Sequence, residues 1–164
     1  MRVLLQRVGH ASVSIDDVVA GSIGPGLLLL VGITGADTDR TLRLMTDKVA
    51  NLRIFEDDQG RMNLSALDRH SKSQRACVLV VSQFTLYGDV RKGRRPSFVA
   101  AAPPDQAAPM IEAFAGYLGE LGLEVESGVF GAQMMVSLVN DGPVTIWIDS
   151  DDLRRPHADD TSGT

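Results

Sequence analysis

The chain has 164 residues, close to the commonest size of a single domain, and its hydrophobic and charged fractions, 44% and 23%, are ordinary for a globular protein. Apolar runs such as residues 27–31 are far too short to cross a membrane, and a single cysteine, Cys77, excludes an internal disulfide framework. No Cys/His cluster has zinc-ligand spacing and no signal-peptide pattern opens the chain. We therefore expect a protein of the reducing cytoplasm, with no metal and no cofactor.

The charge is unevenly distributed. The net charge is −5, but residues 149–164 hold five acidic and two basic residues, which leaves −2 for residues 1–148. A mildly acidic protein is not expected to coat nucleic acid generally. Within the nearly neutral part, however, four cations occur within five residues, at Arg91, Lys92, Arg94 and Arg95. The sequence thus allows a local anion site.

The first third of the chain is rich in strand patterns and then changes period. Apolar stretches separated by turn-forming residues predict strands at residues 3–8, 11–15, 18–23 and 27–33. After them Leu42, Met45 and Val49 recur at helical spacing and predict an amphipathic helix, with Asp37 or Thr38 as its N-cap.

The remainder predicts one more long helix among short strands. This helix begins after two prolines, with Asp105 as its cap. The predicted strands lie at residues 53–55, 77–82, 123–125, 134–139 and 144–148. About eight strands and two main helices in mixed order predict an α+β, sandwich-like single domain over residues 1–149. Residues 150–164, with one large aliphatic residue, predict a polar, acidic and flexible C-terminal tail.

Polar residues follow directly after the predicted strand 77–82. Ser82, Gln83 and Thr85 come where the apolar run stops, with Phe84 between them. Strand ends are where α/β-type domains place binding and catalytic residues. The alternative is that hydroxyl and β-branched residues simply close a strand.

The basic run is the second candidate site. Arg94 and Arg95 are suited to bidentate phosphate contacts, Lys92 adds a further cation, and Gly93 would let a phosphate approach the backbone. The alternative is an ordinary solvated surface, since most basic clusters bind no ligand.

A Gly-Pro pair, Gly142–Pro143, lies between two apolar stretches in residues 140–145. It marks a turn, and an ordinary tight loop is the simplest interpretation. A cis bond is rare and composition does not require one. In cis, however, the pair would project two backbone carbonyls with no side chain between them and could select a ligand by its shape.

A catalytic triad has no convincing histidine. His10, His70 and His157 all lie outside these motifs. Cys77 lies inside an apolar strand and is expected in the core rather than as a nucleophile, and Met134 and Met135 are expected in the core as well.

Taken together, these segments resemble the D-aminoacyl-tRNA deacylase family. Five collinear blocks carry the resemblance and span most of the chain: residues 6–8 with 11–13, 51–56, 82–86, 92–98 and 140–145. Two features depart from the family pattern: the polar segment 69–75 is longer than usual, and the acidic tail after residue 149 is an addition.

The resemblance implies a homodimer with a β-rich, barrel-like core of two sheets packed against two main helices. It implies hydrolysis of the ester of D-aminoacyl-tRNA, with rejection of the L form, and also of glycyl-tRNA, including glycine mischarged on tRNA-Ala. Neither DNA nor a membrane is an expected partner. The implied roles are catalysis by Ser82, Gln83, Phe84 and Thr85, rejection of L-amino acids by a cis Gly142–Pro143 reaching into the partner's site, and tRNA binding by Lys92, Arg94 and Arg95.

Two mechanisms stay open at this stage. Thr85 could attack as a nucleophile, or water could attack with help from the 2′-OH of the tRNA while backbone N–H groups near Phe84 and Thr85 stabilise the oxyanion. We favour the second, because the sequence supplies Thr85 with no evident base. Two other functions also remain: a tRNA 3′-end binding module without turnover, and a small-ester hydrolase that uses Thr85 or Ser82.

Overall fold

The computed structural model describes residues 1–71 and 76–154. These residues form eight strands: β1 (Arg2–Ile15), β2 (Val18–Ile23), β3 (Gly26–Gly32), β4 (Phe55–Glu56), β5 (Met62–Leu64), β6 (Cys77–Ser82), β7 (Glu124–Ser127) and β8 (Met135–Asp149). The helices are α1 (Asp39–Asn51), α2 (Ala66–Ser71), α3 (Pro104–Glu120) and α4 (Ser150–Arg154), and a 3-10 turn spans Phe84–Tyr87. The α+β prediction is confirmed.

The long strand β1 organises the main sheet. One edge of β1 pairs antiparallel with β3 and then with β2, while the other edge pairs antiparallel with β8. Beyond β3, the strands β6 and β7 add in parallel, so the chain must cross over between them through the segments that contain α1 and α3. The sheet curls until β2 approaches β7, where a Cβ on Gly21 would lie 2.9 Å from the Ser127 carbonyl oxygen. The result is a nearly closed barrel beside the small β4–β5 sheet.

The two faces of the sheet bury separate cores. Alternate residues of β3 point to opposite faces, as strand geometry requires. Leu27 and Leu29 face the helices and pack with apolar residues of α1 and α3, among them Leu42, Met45, Val49, Phe114 and Leu118. Leu28 faces the barrel interior, with Val8, Ala11, Val13, Ile23, Leu79 and Val81.

Several predicted boundaries shift. The strands predicted at 3–8 and 11–15 are one continuous strand, β1, and those at 134–139 and 144–148 both belong to β8. Thr38 rather than Asp37 caps α1, because the Asp37 carboxylate accepts a hydrogen bond from the Met1 amino group at 2.6 Å. Helix α3 begins at Pro104, so Asp105 lies in its first turn and is not the cap.

The chain continues as a packed structure beyond residue 149. In α4, Ser150 is buried; its N–H donates to the Met1 carbonyl at 2.9 Å and its Oγ accepts from the Met1 amino group at 2.8 Å. Leu153 packs against the core on the helix side. The described domain therefore extends five residues past the predicted boundary. Residues 155–164 of the predicted tail, and 72–75 of the long segment 69–75, lie outside the described residues.

Candidate active site

The carboxyl ends of β3 and β6 meet at one edge of the sheet. The two strands are parallel, and Val31 near the end of β3 is paired with Ser82 at the end of β6. The next residue, Gln83, donates its N–H to the Val31 carbonyl at 2.7 Å, after which the chain enters the 3-10 turn. Parallel pairing thus places the predicted polar strand end at the edge where such sheets build sites.

A cavity of about 560 Å³ opens beside this strand end. Ser82 and Gln83 contribute polar groups, whereas the other lining residues are mostly apolar: Val31, Ile33, Val81, Phe84, Phe98, Ala101, Ala102, Pro104, Ala107, Ile111, Phe130, Gly131, Ala132, Met134 and Val136. A mostly apolar pocket with a few polar groups is the usual design of a small-molecule site, in which the polar groups fix the orientation of the ligand.

The 3-10 turn presents Phe84 and Thr85 to the solvent. Phe84 is 56% exposed and packs edge-on against Phe98, with ring centroids 5.1 Å apart. Thr85 does not line the cavity, but its hydroxyl accepts a hydrogen bond from the side-chain amide of Gln83, which does. An amide N–H is a donor and not a base, so this contact orients the hydroxyl without activating it as a nucleophile.

Part of the cavity wall is formed by residues that the sequence did not predict to belong to a site. Phe130, Ala132 and Met134 come from the stretch before β8, which carries no polar motif. Met134 and Met135 were both predicted to lie in the core. Met134 is half-buried and lines the cavity, whereas the prediction for Met135 is wrong, because Met135 is 68% exposed. Alternation along an edge strand separates the two neighbours.

Cys77 is half-buried against the barrel core. Its thiol donates to the Glu124 carboxylate at 3.4 Å.

The basic run forms a loop between the 3-10 turn and Phe98. A pair of backbone hydrogen bonds between Asp89 and Ser97 closes its base. Arg91 donates to the Asp89 carboxylate, and these hydrogen bonds lower the pKa of Asp89 to about 2. The three predicted tRNA-binding cations, Lys92, Arg94 and Arg95, are exposed on this loop. The loop leads directly into Phe98, which lines the cavity.

The Gly142–Pro143 pair lies on an excursion of β8. Between Gln6 and Val8 of β1, the paired residue on β8 moves from Thr145 to Asn140, so residues 141–144 bulge out of the ladder. The Gly142–Pro143 peptide bond is cis, and both residues are exposed. Neither lines the cavity of its own chain.

Side chains hold the excursion at its base. The Asn140 amide donates to Thr145 Oγ1 at 2.7 Å and accepts the Val144 N–H at 3.0 Å. Arg7, only 4% exposed, donates to the carbonyls of Ile54 at 2.6 Å and Asp141 at 3.2 Å. The strand pattern alone assigns Arg7 no role. The feature that could have indicated one is a cation inside an apolar strand, because an arginine is rarely buried unless it is paired.

Among the described residues, no helix is both long and apolar enough to cross a membrane.

The model of the family described as D-Tyr-tRNA(Tyr) deacylase matches residues 4–149. A relative from Thermomicrobium roseum, named D-aminoacyl-tRNA deacylase, is 59% identical over 94% of this chain and 97% of its own. One of the same name from Brevibacillus brevis is 55% identical over 92% of this chain and all of its own.

Solved structures agree with the fold. The c-Myc DNA unwinding element binding protein superposes with a TM-score of 0.82 at 39% identity, covering 91% of this chain and 98% of its own. A probable eukaryotic D-amino acid tRNA deacylase superposes with a TM-score of 0.76 at 20% identity, covering 90% and 97%, and supports the fold alone. The family model, the relatives and the solved structures each match almost the whole chain. The chain therefore belongs to the D-aminoacyl-tRNA deacylase family of hydrolases.

Proposed function

We propose that this enzyme hydrolyses the ester of D-aminoacyl-tRNA, rejects the L-aminoacyl ester, and so acts in chiral proofreading. The observation that carries the proposal is the cavity at the ends of β3 and β6, which is mostly apolar and has Ser82 and Gln83 as polar groups. It offers space for the 3′-terminal nucleoside with its amino acid, and the cations of the adjacent loop suit the phosphates behind it.

The chemistry asked of the protein is modest, because an aminoacyl ester is already activated. Water adds to the ester carbonyl carbon, the C–O bond to the ribose breaks, and the ribose oxygen leaves with a proton, giving free amino acid and tRNA. The neighbouring 2′-OH of the ribose assists the attack. Backbone N–H groups at the start of the 3-10 turn, at Phe84 and Thr85, have no acceptor within the turn and stabilise the oxyanion. Thr85, held by the Gln83 amide, positions the ester.

The Gly142–Pro143 excursion is proposed to select chirality in the partner's site. Gly142 and Pro143 are exposed and do not line the cavity of their own chain, so they are accessible to a second protomer. Carbonyls that hold the α-amino group leave no room for an L side chain, which is selection by steric exclusion. Glycine has no side chain to exclude, so glycyl-tRNA, including glycine mischarged on tRNA-Ala, is proposed as a second substrate.

The homodimer is supported by strand β8. Its pairing partner among the described strands is β1, on one edge, and it carries exposed Met135, Val139 and Trp147. An edge strand with exposed apolar residues favours association with another chain. A mildly acidic chain with one half-buried cysteine also fits the reducing cytoplasm that we propose as its compartment.

The first experiment compares deacylation of matched D- and L-tyrosyl-tRNA by substoichiometric enzyme. Turnover of the D ester alone is expected. Equal hydrolysis of both esters would leave an esterase without the chiral filter. Binding of tRNA without hydrolysis would favour a binding module, and faster hydrolysis of simple esters than of aminoacyl-tRNA would favour a small-ester hydrolase.

A mixed-dimer experiment tests the contribution across subunits. One chain carries Ser82→Tyr, which fills the cavity, and the other carries Gly142→Ala, which alters the excursion. If the excursion serves the partner's cavity, the heterodimer has one intact site and recovers about half of the wild-type rate per dimer, while each parent homodimer is impaired. A heterodimer as inactive as its parents would show that each chain completes its own site.

A further inference from the structure

A charged side chain from the first strand reaches the far end of the 3-10 turn. The Arg2 guanidinium donates through Nη1 to the Leu86 carbonyl at 2.9 Å. It also lies over the Tyr87 ring, 4.4 Å from the centroid. The last carbonyls of a helical turn have no partner within it, so a cation that donates to one of them satisfies a group the turn leaves open.

The guanidinium is itself fixed from the side of β8. Its Nε donates to Asp149 Oδ2 at 2.9 Å, and the Trp147 ring lies 5.5 Å from it. Burial pushes the pKa of Asp149 upward, but hydrogen bonds from the Asp151 N–H and from Arg2 outweigh it and leave the pKa below its usual value. The carboxylate therefore stays charged at neutral pH and keeps the guanidinium oriented.

These contacts complete the support of the turn. Its first end is tied to β3 through the Gln83 N–H, and Phe84 rests on Phe98. Arg2 ties the opposite end, Leu86 and Tyr87, to β1 and β8. A displacement of about 1 Å at a site can lower a rate a hundredfold, so the support of the turn bears on catalysis.

We propose that Arg2 is a positioning residue for the hydrolysis, holding the 3-10 turn so that the N–H groups of Phe84 and Thr85 stay aimed at the ester. This inference rests on the proposed function, because it assigns Arg2 a task in that reaction. Arg2 touches no substrate; it acts through Leu86 and Tyr87.

The test is Arg2→Met, which keeps the aliphatic stem and removes the stacking and donating head. Arg43→Met is the matched control: Arg43 also lies over a tyrosine ring, Tyr117 at 4.0 Å, and bonds an aspartate, but it lies on the α1–α3 surface. Arg2→Lys, which keeps one charge and one donor, is expected to fall between Arg2→Met and wild type.

For D-tyrosyl-tRNA we expect kcat of Arg2→Met to fall about tenfold, with KM within about twofold of wild type, the pattern of an interaction felt in the transition state. Hydrogen exchange at the N–H groups of Leu86 and Gly88 is expected to accelerate about tenfold, since they donate to the carbonyls of Gln83 and Thr85 and so hold the turn closed. Trp147 is the chain's single tryptophan, so its emission reports whether the stack is lost.

The outcomes separate the two proposals. An active wild type with unchanged kcat in Arg2→Met, and a lost stack by Trp147 emission, overturns this inference and leaves the proposed function standing. An equal loss of kcat in Arg43→Met also overturns it, because the effect would then be one of general stability. A wild type that turns over neither tyrosyl ester overturns the proposed function and the inference with it.

Discussion

The 3-10 turn follows the end of β6 and the excursion interrupts β8, and the protein supports these two segments differently. The turn is braced within its own chain by β3, Phe98 and Arg2, and it borders a cavity. The excursion is fixed at its base, by Arg7, by Asn140 and by the buried Val144, and it exposes Gly142 and Pro143 to solvent.

This difference indicates a division of labour. A turn tied at both ends suits groups that must be held still while charge develops on a substrate. An exposed loop with a rigid base suits a probe that enters a site elsewhere. Two exposed backbone carbonyls without a side chain between them have no evident role in the fold of their own chain, so the comparison favours a contact with a second protomer.

The largest effect is expected from Gly142→Ala, which changes the exposed part of the excursion. Gly142 has φ +122°, which L residues rarely adopt, and its Cβ would lie 2.9 Å from both Arg7 Nη2 and Val144 Cγ2. Strain on the order of 1–3 kcal/mol is expected to shift the excursion and lower D-tyrosyl-tRNA hydrolysis about a hundredfold. Gly9→Ala in β1, where a Cβ meets nothing within 4 Å, is the control. Intact D/L selectivity in Gly142→Ala would refute the chiral role.

Arg7→Met tests the base of the excursion. Removing the buried guanidinium leaves the Ile54 and Asp141 carbonyls without this donor, and we expect the free energy of unfolding to fall by about 2 kcal/mol. Urea denaturation measures the stability, and D/L selectivity measured below the transition is expected to decline. A stable variant with full selectivity would show that Arg7 does not hold the excursion.

Replacing Arg94 and Arg95 together by Ala tests the basic loop. We expect tRNA affinity to fall about tenfold and the slope of log K against log salt to flatten by about 1.5, since each lost phosphate contact contributes ~0.7–0.9. The control removes two exposed cations of α1, Arg40 and Lys48, and changes the net charge equally. An unchanged salt slope in the loop variant would take these arginines out of the tRNA site.

Thr85→Ala tests how the turn acts. If the 2′-OH assists and the backbone N–H groups bind the oxyanion, kcat falls by less than about tenfold, because only a positioning contact is lost. Complete loss of hydrolysis would instead identify Thr85 as the nucleophile. Single-turnover kinetics with D-tyrosyl-tRNA distinguishes the two.

The smallest effect concerns Asp89. Its hydrogen bonds from Arg91 lower its pKa to about 2, so the stabilisation they provide is present above the ordinary value of 3.8 and is lost as the pH falls through 2. NMR titration of the Asp89 carboxyl should give a midpoint near 2, and Asp89→Asn should steepen the salt dependence of tRNA binding. An ordinary midpoint would show that Arg91 is not held and is available to phosphate.

Local patterns predicted most elements because each depends on neighbouring residues. The helical stripe of Leu42, Met45 and Val49 and the apolar run of β6 were both recovered with nearly correct bounds. Two strands predicted at 3–8 and 11–15 proved continuous, because their pairing with β8 bridges residues whose own pattern is broken by Gly9. The helix α4 was read as tail, since its stability comes from Ser150 and the amino group of Met1, far apart in sequence.

The motifs on which the family resemblance rests are local in the sequence: the polar end of β6, the basic loop and the Gly-Pro pair can each be recognised without knowledge of the fold. Which of these segments lie next to one another depends on the tertiary structure. The parallel pairing of β3 with β6 brings Val31 and Ser82 together in one cavity wall. The path of β8 keeps Gly142 out of the lining of that cavity. Packing places Arg2 against Leu86 and Arg7 against Asp141. The reason is physical: contacts between residues distant in the chain depend on which surfaces bury together, and no local pattern records that choice.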